Sequence, residues 1–322
     1  WYSGDVTLAG GNEISGNDVS VYVQDTGTLT VGNEVFGPSS APAEKALDFE
    51  YYGTGPVDLS EVTFAGAADD YDIERLVWHK IDDPALGMVE WVKGQVFAYD
   101  NDSLVAALNN APEGSTINLK AGEYELGLRT IDRDLTVIGE NKETTIIKPA
   151  QHTPGGANNR FWIGVNEGVE FNLSNVTLDG NNTLVNSKGE EVPVKVYEAI
   201  RYNGTGTFEN NIVQNIWYGR VTGIGVEVRG NAVIRNNTFE NIERIGIHIV
   251  TSAVESALIE GNTITGKGDV YDTVNYGVEL GAGAKATIRN NTITNNLGFA
   301  ASDGSESGAI YVTTYFAEGT EA

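Results

Sequence analysis

Cysteine is absent from the 322 residues, so neither disulfides nor thiolate metal sites are available. Cations are scarce: 20 Lys and Arg stand against 45 Asp and Glu, a formal charge of −25 and a pI of about 4.3. That balance disfavours nucleic acid and anionic membrane surfaces as partners, because Lys and Arg must neutralise their phosphates. It suits solubility, association with divalent cations and a salty or extracellular setting. Long apolar runs are also missing. None approaches the roughly 18 residues that cross a bilayer, so membrane insertion is not expected. The histidines number three, and His79, His152 and His248 are too scattered to suggest a zinc site. No signal-peptide pattern is visible, and the first residue is Trp1 rather than methionine. The chain therefore reads as a mature or excised piece of something longer. Low lysine with abundant Asn, Gly and Thr points to an exported, extracellular or cell-surface protein.

What the chain has is repetition. A phrase of small, apolar, free and apolar residues recurs as Ala199-Ile200-Arg201-Tyr202, Gly225-Val226-Glu227-Val228, Gly246-Ile247-His248-Ile249, Gly277-Val278-Glu279-Leu280 and Ala309-Ile310-Tyr311-Val312. A second phrase follows each of the first four: Asn210-Asn211-Ile212-Val213, Asn236-Asn237-Thr238-Phe239, Gly261-Asn262-Thr263-Ile264 and Asn290-Asn291-Thr292-Ile293. From Asn211 the steps to Asn237, Asn262 and Asn291 are 26, 25 and 29 residues. Self-similarity at a period of roughly 20 to 50 residues marks a stacked repeat architecture. Each repeat holds two or three apolar-x-apolar bursts, period-2 strands too short for helices. Asn and Gly between them tolerate the left-handed backbone of sharp corners. Stacking such coils about 4.8 Å apart buries one continuous core and sets like residues above like. Asn211, Asn237, Asn262 and Asn291 then form a side-chain amide ladder.

These phrases resemble the right-handed parallel β-helix superfamily, which includes pectate-lyase-like enzymes and many surface proteins. The resemblance implies an all-β solenoid over most of the chain. Residues 1–66 read as coils already: Gly11-Asn12-Glu13-Ile14 and Gly32-Asn33-Glu34-Val35 echo the asparagine phrase. Asp58 to Phe64 parallels Asn172 to Leu178. Residues 67–98 break the pattern, with Ile73, Leu76, Val77 and Ile81 at helical spacing between Asp69 and Asp83, Asp70 or Asp72 as cap, and short strands at Met88–Val92 and Gln95–Phe97. This block resembles the segment that closes one β-helix and precedes the next in tandem bacterial and archaeal surface proteins. A fresh β-helix then spans 99–322. Asp100 or Asp102 caps a helix over Ser103–Asn110 with Leu104, Ala107, Leu108 and Ala111 on one face, an order similar to the N-terminal cap of the pectate-lyase-like family. Loops at Gln151–Arg160 and Asn182–Pro193 interrupt the coils, where binding on a solenoid usually sits.

The free positions of the main phrase, Arg201, Glu227, His248, Glu279 and Tyr311, stack on one outward face. One reading is a polysaccharide site, with Arg201 or Arg229 orienting a uronate and Glu227, His248 or Glu279 as acid or base. The preferred reading is a solvated ladder of alternating charge. Glu198-Ala199-Ile200-Arg201 resembles a phrase of alginate-lyase-like β-helices, but the lysine-containing phrase expected one coil later is missing. So is the paired-aspartate pattern of the polygalacturonase-like branch. Oxygen-rich turns at Asp179 and Asp303 are weak Ca²⁺ candidates, and no other cofactor is expected. Of seven Asn-x-Ser/Thr sequons, Asn181 and Asn203 lie in loops and are candidates for glycosylation. Trp162, Trp217 and Tyr218 could line a sugar-stacking strip.

Two further features bear on function. The last strand phrase stands ten residues before Ala322 with no cap, while coil-like sequence stands at 1–66. Read across that junction, the pattern runs from Ile310, Tyr311, Val312, Tyr315 and Phe316 into Val6, Leu8, Asn12 and Ile14. The expectation placed first is therefore an extracellular structural protein whose copies stack head to tail into a fibre or array. The alternatives are a polysaccharide lyase or hydrolase acting on acidic glycans, and a non-catalytic glycan-binding adhesin module. The expected partners are a second copy of the chain and extracellular glycans.

Overall fold

The computed structural model describes residues 5–17, 21–23, 28–37, 47–53, 55–156, 159–219, 222–268, 273–298, 306–314 and 318–322. They form two compact units, Trp1–Lys120 and Ala121–Ala322. The expected boundaries near 66/67 and 98/99 both fall inside the first.

The second unit is a parallel β-helix with three sheets, each gaining one strand per coil. The first sheet runs from Leu135–Gly139 through Phe171–Ser174, Gly206–Glu209, Ala232–Arg235 and Ala257–Glu260 to Ala286–Arg289. The second runs from Gly122–Leu126 to Thr292–Thr294, and the third from Arg129–Ile131 to Gly308–Thr313. In the third sheet Ile200 pairs with Val226, Val226 with Ile247 and Ile247 with Val278. These side chains are fully buried, each contributing about 1.5–3 kcal/mol.

The small residue of the main phrase has a steric cause. A Cβ on Gly225 would stand 2.6 Å from the carbonyl oxygen of Gly246, and one on Gly246 would stand 2.7 Å from that of Gly277. The double asparagines divide two tasks. Asn210, Asn236 and Asn290 turn the corner with φ of 51°, 57° and 57°, a left-handed conformation that asparagine tolerates. The residue after each points inward and builds the ladder. Oδ1 of Asn237 accepts from the backbone N–H of Asn211 at 2.9 Å, and Oδ1 of Asn262 accepts from the N–H and the side-chain amide of Asn237, both at 3.0 Å. Asn291 serves Asn262 in the same way. The amides also donate to strand carbonyls, Asn237 to Phe208 and Asn262 to Ile234. Every buried polar group at this corner is thereby satisfied.

The first unit is built of parallel coils as well. Asp5–Leu8 pairs with Thr28–Val31, Glu13–Ile14 with Val35–Phe36, and Val21–Val23 with Leu47–Tyr51. The helix read at 69–83 is shorter, Asp70–Leu76, and Asp69 is its cap. It stops because Val77–Trp78 joins a sheet, pairing with Leu47 and Asp48. Val89–Glu90 likewise pairs with Val57–Asp58. The block at 67–98 thus adds strands to the coils before it. The helix Asn101–Asn110 has Asp100 as N-cap in a capping box with Ser103, one residue pair satisfying two orphan donors. Phe36, Phe64, Trp91 and Phe97 pack ring against ring in the core of this unit, Trp91 and Phe97 stacked and Phe64 edge-on to Trp91.

The Asn182–Pro193 loop is an antiparallel hairpin of Thr183–Val185 and Glu191–Pro193. Tyr315 and Phe316 lie outside the described residues, as does Asp303.

Candidate functional site

Parallel pairing stacks the free positions of the main phrase as expected: Arg201 beside Glu227, Glu227 beside His248, His248 beside Glu279 and Glu279 beside Tyr311. The ladder is not solvated, however. Arg201 is 4% exposed and Glu227 2%, although both project away from the core. A second outward column lies three residues earlier on each strand, formed by Phe161, Glu198, Ile224, Ile245 and Tyr276. Its members Ile224, Ile245 and Tyr276 pack with Val274, Tyr197 and Tyr311 into a cluster on the outer face. The Gln151–Arg160 segment and residues 195–197 are tied together beside it. The Thr153 N–H donates to the Lys195 carbonyl at 2.9 Å, and its Oγ1 accepts from the Tyr197 N–H at 2.8 Å. Arg160 then lies over the Tyr197 ring at 4.3 Å, and its Nη1 donates to the Tyr197 hydroxyl at 2.7 Å.

Between these columns is a cavity of about 390 Å³ whose lining includes Arg160, Arg229, Arg244, Tyr197, His248 and Glu279. Three of the ten arginines of this acidic chain meet there. His248 is the bridge of the charged ladder. Its Nδ1 lies 3.3 Å from Oε2 of Glu227, and its Nε2 lies 3.7 Å from Oε2 of Glu279. Glu227 is further held by an ion pair with Arg229 and by Arg201 at 3.7 Å.

Arg201 does not reach the cavity lining. Its Nε and Nη2 both donate to the carboxylate of Glu198 at 2.7 Å, a bidentate geometry that fixes both groups. Its guanidinium is thus committed to Glu198, whereas Arg229, paired with Glu227, also lines the cavity. Burial and the charge of Glu227 push Glu198 up to about 7, against the pull of the Arg201 guanidinium. Burial acts to raise Glu227 too, but the hydrogen bond and charge of His248, with Arg201 and Arg229, hold it well below the usual carboxylate range. The two buried acids are thus driven apart, one toward the neutral form and one firmly ionised.

Arg160, Arg244 and Tyr197 escaped the sequence reading, and Glu198 entered it only as part of the phrase Glu198-Ala199-Ile200-Arg201. Glu198 left a trace: it stands where the other coils carry Ile224, Ile245 and Tyr276, the one acid among them. The remaining candidates scatter. Asp179 is buried, and its carboxylate accepts from the Asn181 N–H, the Gln214 amide and the Asn215 amide, which leaves little room for a cation. Asn203 donates its side-chain amide to the Val165 carbonyl at 3.1 Å, while Asn181 is exposed. Trp162 is fully buried and donates Nε1 to the Leu126 carbonyl, so it belongs to the core and not to a sugar-stacking strip. In the first unit Glu74, His79 and Asp82 are close enough to share an ion. Their atoms already serve the fold: Nε2 of His79 faces Glu74 at 3.2 Å, its Nδ1 accepts from the Val89 N–H, and its backbone N–H donates to Asp82.

No curated protein matches the chain. Among solved structures, the PL6-family alginate lyase AlyGC resembles it with a TM-score of 0.43 at 13% identity, over 96% of this chain and 51% of that one. An arginine-to-alanine mutant of the same enzyme gives 0.40 at 13% identity, over 97% and 58%. The chain thus spans about half the length of these structures. The family model described as the right handed beta helix region matches residues 150–316, just over half of the chain, and covers the coils that carry the cavity. The chain belongs to the right-handed β-helix family.

Proposed function

We propose that the chain binds an acidic, uronate-bearing polysaccharide in the arginine-rimmed cavity and cleaves it by β-elimination, in an extracellular setting. The observation that carries this reading is His248, set in the cavity lining with Glu227 behind its Nδ1 and three guanidinium groups around the space in front. In the neutral imidazole that donates Nδ1–H to Glu227, the lone pair of Nε2, on the side of Glu279, serves as the base. Arg229, with Arg160 and Arg244, neutralises the uronate carboxylate and so makes the neighbouring C5 proton more acidic. That proton goes to Nε2. The electrons of the C5–H bond form the C4=C5 double bond, and the C4–O bond breaks with its pair on oxygen. The imidazolium returns the proton to that oxygen, and both partners end neutral. Glu227 is a positioning residue here, because it touches His248 and not the glycan. The test is incubation with a panel of polyuronates, pectate and alginate among them. Release of shortened, unsaturated chains is expected; a protein that neither binds nor shortens any member overturns the reading.

Head-to-tail stacking is the second reading, and the edge of the third sheet favours it. Ile310 and Val312 are 47% and 50% exposed, although they continue the fully buried columns of Val278 and Leu280. Val6, the counterpart expected from a second copy, is 43% exposed. A further coil laid on that strand would cover both apolar side chains and pair the open edge. Electron microscopy across a concentration series checks it. Fibres that disappear on Val312→Asp support stacking, and monomers at every concentration contradict it.

A further inference from the structure

A second cavity, of about 320 Å³, lies beside Trp217 and includes Asn181, Val194, Asn241 and Glu243 in its lining. It flanks the same corner of the solenoid as the first. Three successive coils pass from the second sheet to the third there, and each contributes to both cavities. Val194 lines this one and Tyr197 the first; Trp217 and Thr222 divide likewise, as do Glu243 and Arg244. A ligand that leaves the arginine-rimmed cavity across these three turns therefore meets the second.

The chemistry of the second cavity differs from that of the first. Among the described residues no arginine lines it. Among the described residues, the side-chain amide of Asn181, Oδ1 of Asn241 and Nε1 of Trp217 have no protein partner. Asn241 uses its amide nitrogen to donate to Oδ1 of Asn215 at 2.6 Å, which turns its carbonyl oxygen to other uses. The exposed ammonium of Lys195 stands 5.8 Å from the Trp217 ring centroid and, among the described residues, is in no ion pair. An indole beside donors and acceptors that the protein leaves unused is what a pyranose ring fits, with its apolar face on the ring and its hydroxyls toward the amides. Glu243 is turned from that role by its ion pair with Lys267 at 3.1 Å.

We propose that the Trp217 cavity is a second sugar subsite of the same cleft, holding a neighbouring residue of the acidic glycan by stacking and hydroxyl recognition, with Lys195 beside its carboxylate. This rests on the reading that the first cavity binds a polyuronate. The subsite makes binding depend on chain length, since a disaccharide fills the first cavity and only a longer chain reaches Trp217.

The test is nuclear magnetic resonance on the whole chain, titrated with a uronate disaccharide and with a longer oligouronate. The Trp217 indole N–H is assigned by the signal lost in Trp217→Phe. The longer oligomer is expected to shift that signal, and the disaccharide to leave it in place. Trp217→Ala should weaken the longer oligomer about tenfold and leave the disaccharide unchanged, and the exposed Lys195→Ala should act in the same direction. If the longer oligomer shifts His248 but not Trp217, and both variants bind it as the parent does, the subsite is overturned while the first cavity stands. If no signal moves with either sugar, both readings fall together.

Discussion

Nδ1 of His248 and Oε2 of Glu227 meet at 3.3 Å although 21 residues separate them. The spacing is one coil, and in-register parallel pairing makes the two positions direct partners. The contact is therefore a product of coil length and register, and a one-residue change in either would separate the pair. Because Glu227 is buried and clamped by Arg229, it offers Nδ1 of His248 a fixed partner.

Glu227→Gln keeps the shape and removes the charge. We expect kcat to fall with KM little changed, since in the proposed function the glycan touches His248 and the arginines. A purely structural role for Glu227 would instead lower the amount of folded protein and leave the kcat of the folded fraction intact. Steady-state kinetics on variant protein checked for folding by circular dichroism separates the two.

Arg244→Ala should act on the other constant. Loss of one charged hydrogen bond costs about 1.5–3 kcal/mol, roughly a ten- to hundredfold rise in KM. The same contact should weaken with salt, so the gap between parent and variant narrows as ionic strength rises. Kinetics at two salt concentrations would show it.

The buried acid Glu198 makes stability depend on pH with a defined sign. Its folded pKa is raised from the ordinary 4.5 to about 7, so the folded state holds a proton that the unfolded state has released across that window. Stability from this group is present below pH about 4.5 and is lost as pH rises toward 7. Glu227, held low, has the opposite sign, with stability lost as pH falls below about 4.5. Glu198→Gln should flatten the fall on the alkaline side of this window. Urea midpoints between pH 4 and 8, measured for parent and variant, carry the test.

The fold was legible because its constraints are local and repeated. Gly225, Gly246 and Gly277 mark where rungs approach within van der Waals contact, and Asn210-Asn211 and Asn236-Asn237 mark a corner with one left-handed residue and one ladder residue. The stacking of Arg201, Glu227, His248 and Glu279 followed from the same register. The burial of that column did not, because Arg160 and Tyr197, which pair beside Glu198, arrive from connecting segments without a repeat. Nor could register show that Arg201 spends its guanidinium on Glu198, three residues earlier on its own strand. Trp162 misled for a related reason: its indole nitrogen finds the Leu126 carbonyl only once the coils are closed, so the sequence offers no sign that the ring lies inside. The helix after Asp69 was read too long because tertiary pairing of Val77 and Trp78 overrides helical spacing.

The amide ladder is open to direct test. Asn237 is fully enclosed and takes part in hydrogen bonds to Asn211, Asn262 and Phe208. Asn237→Ala leaves buried donors and acceptors unpaired at about 1–3 kcal/mol each. We expect a loss of roughly 3 kcal/mol or more in chemical denaturation, whereas the exposed Asn290, which sits at the corner itself, should tolerate Gly at little cost.

The most direct measurement follows ultraviolet absorbance of a polyuronate solution with the parent chain and with His248→Ala, each checked for binding of the same polymer. The account predicts that the C4=C5 chromophore grows with the parent and not with the variant, while the variant still binds through Arg160, Arg229 and Arg244. A chromophore that grows equally with both, or a parent that binds the polymer and never cleaves it, would contradict the assignment of His248 as the base.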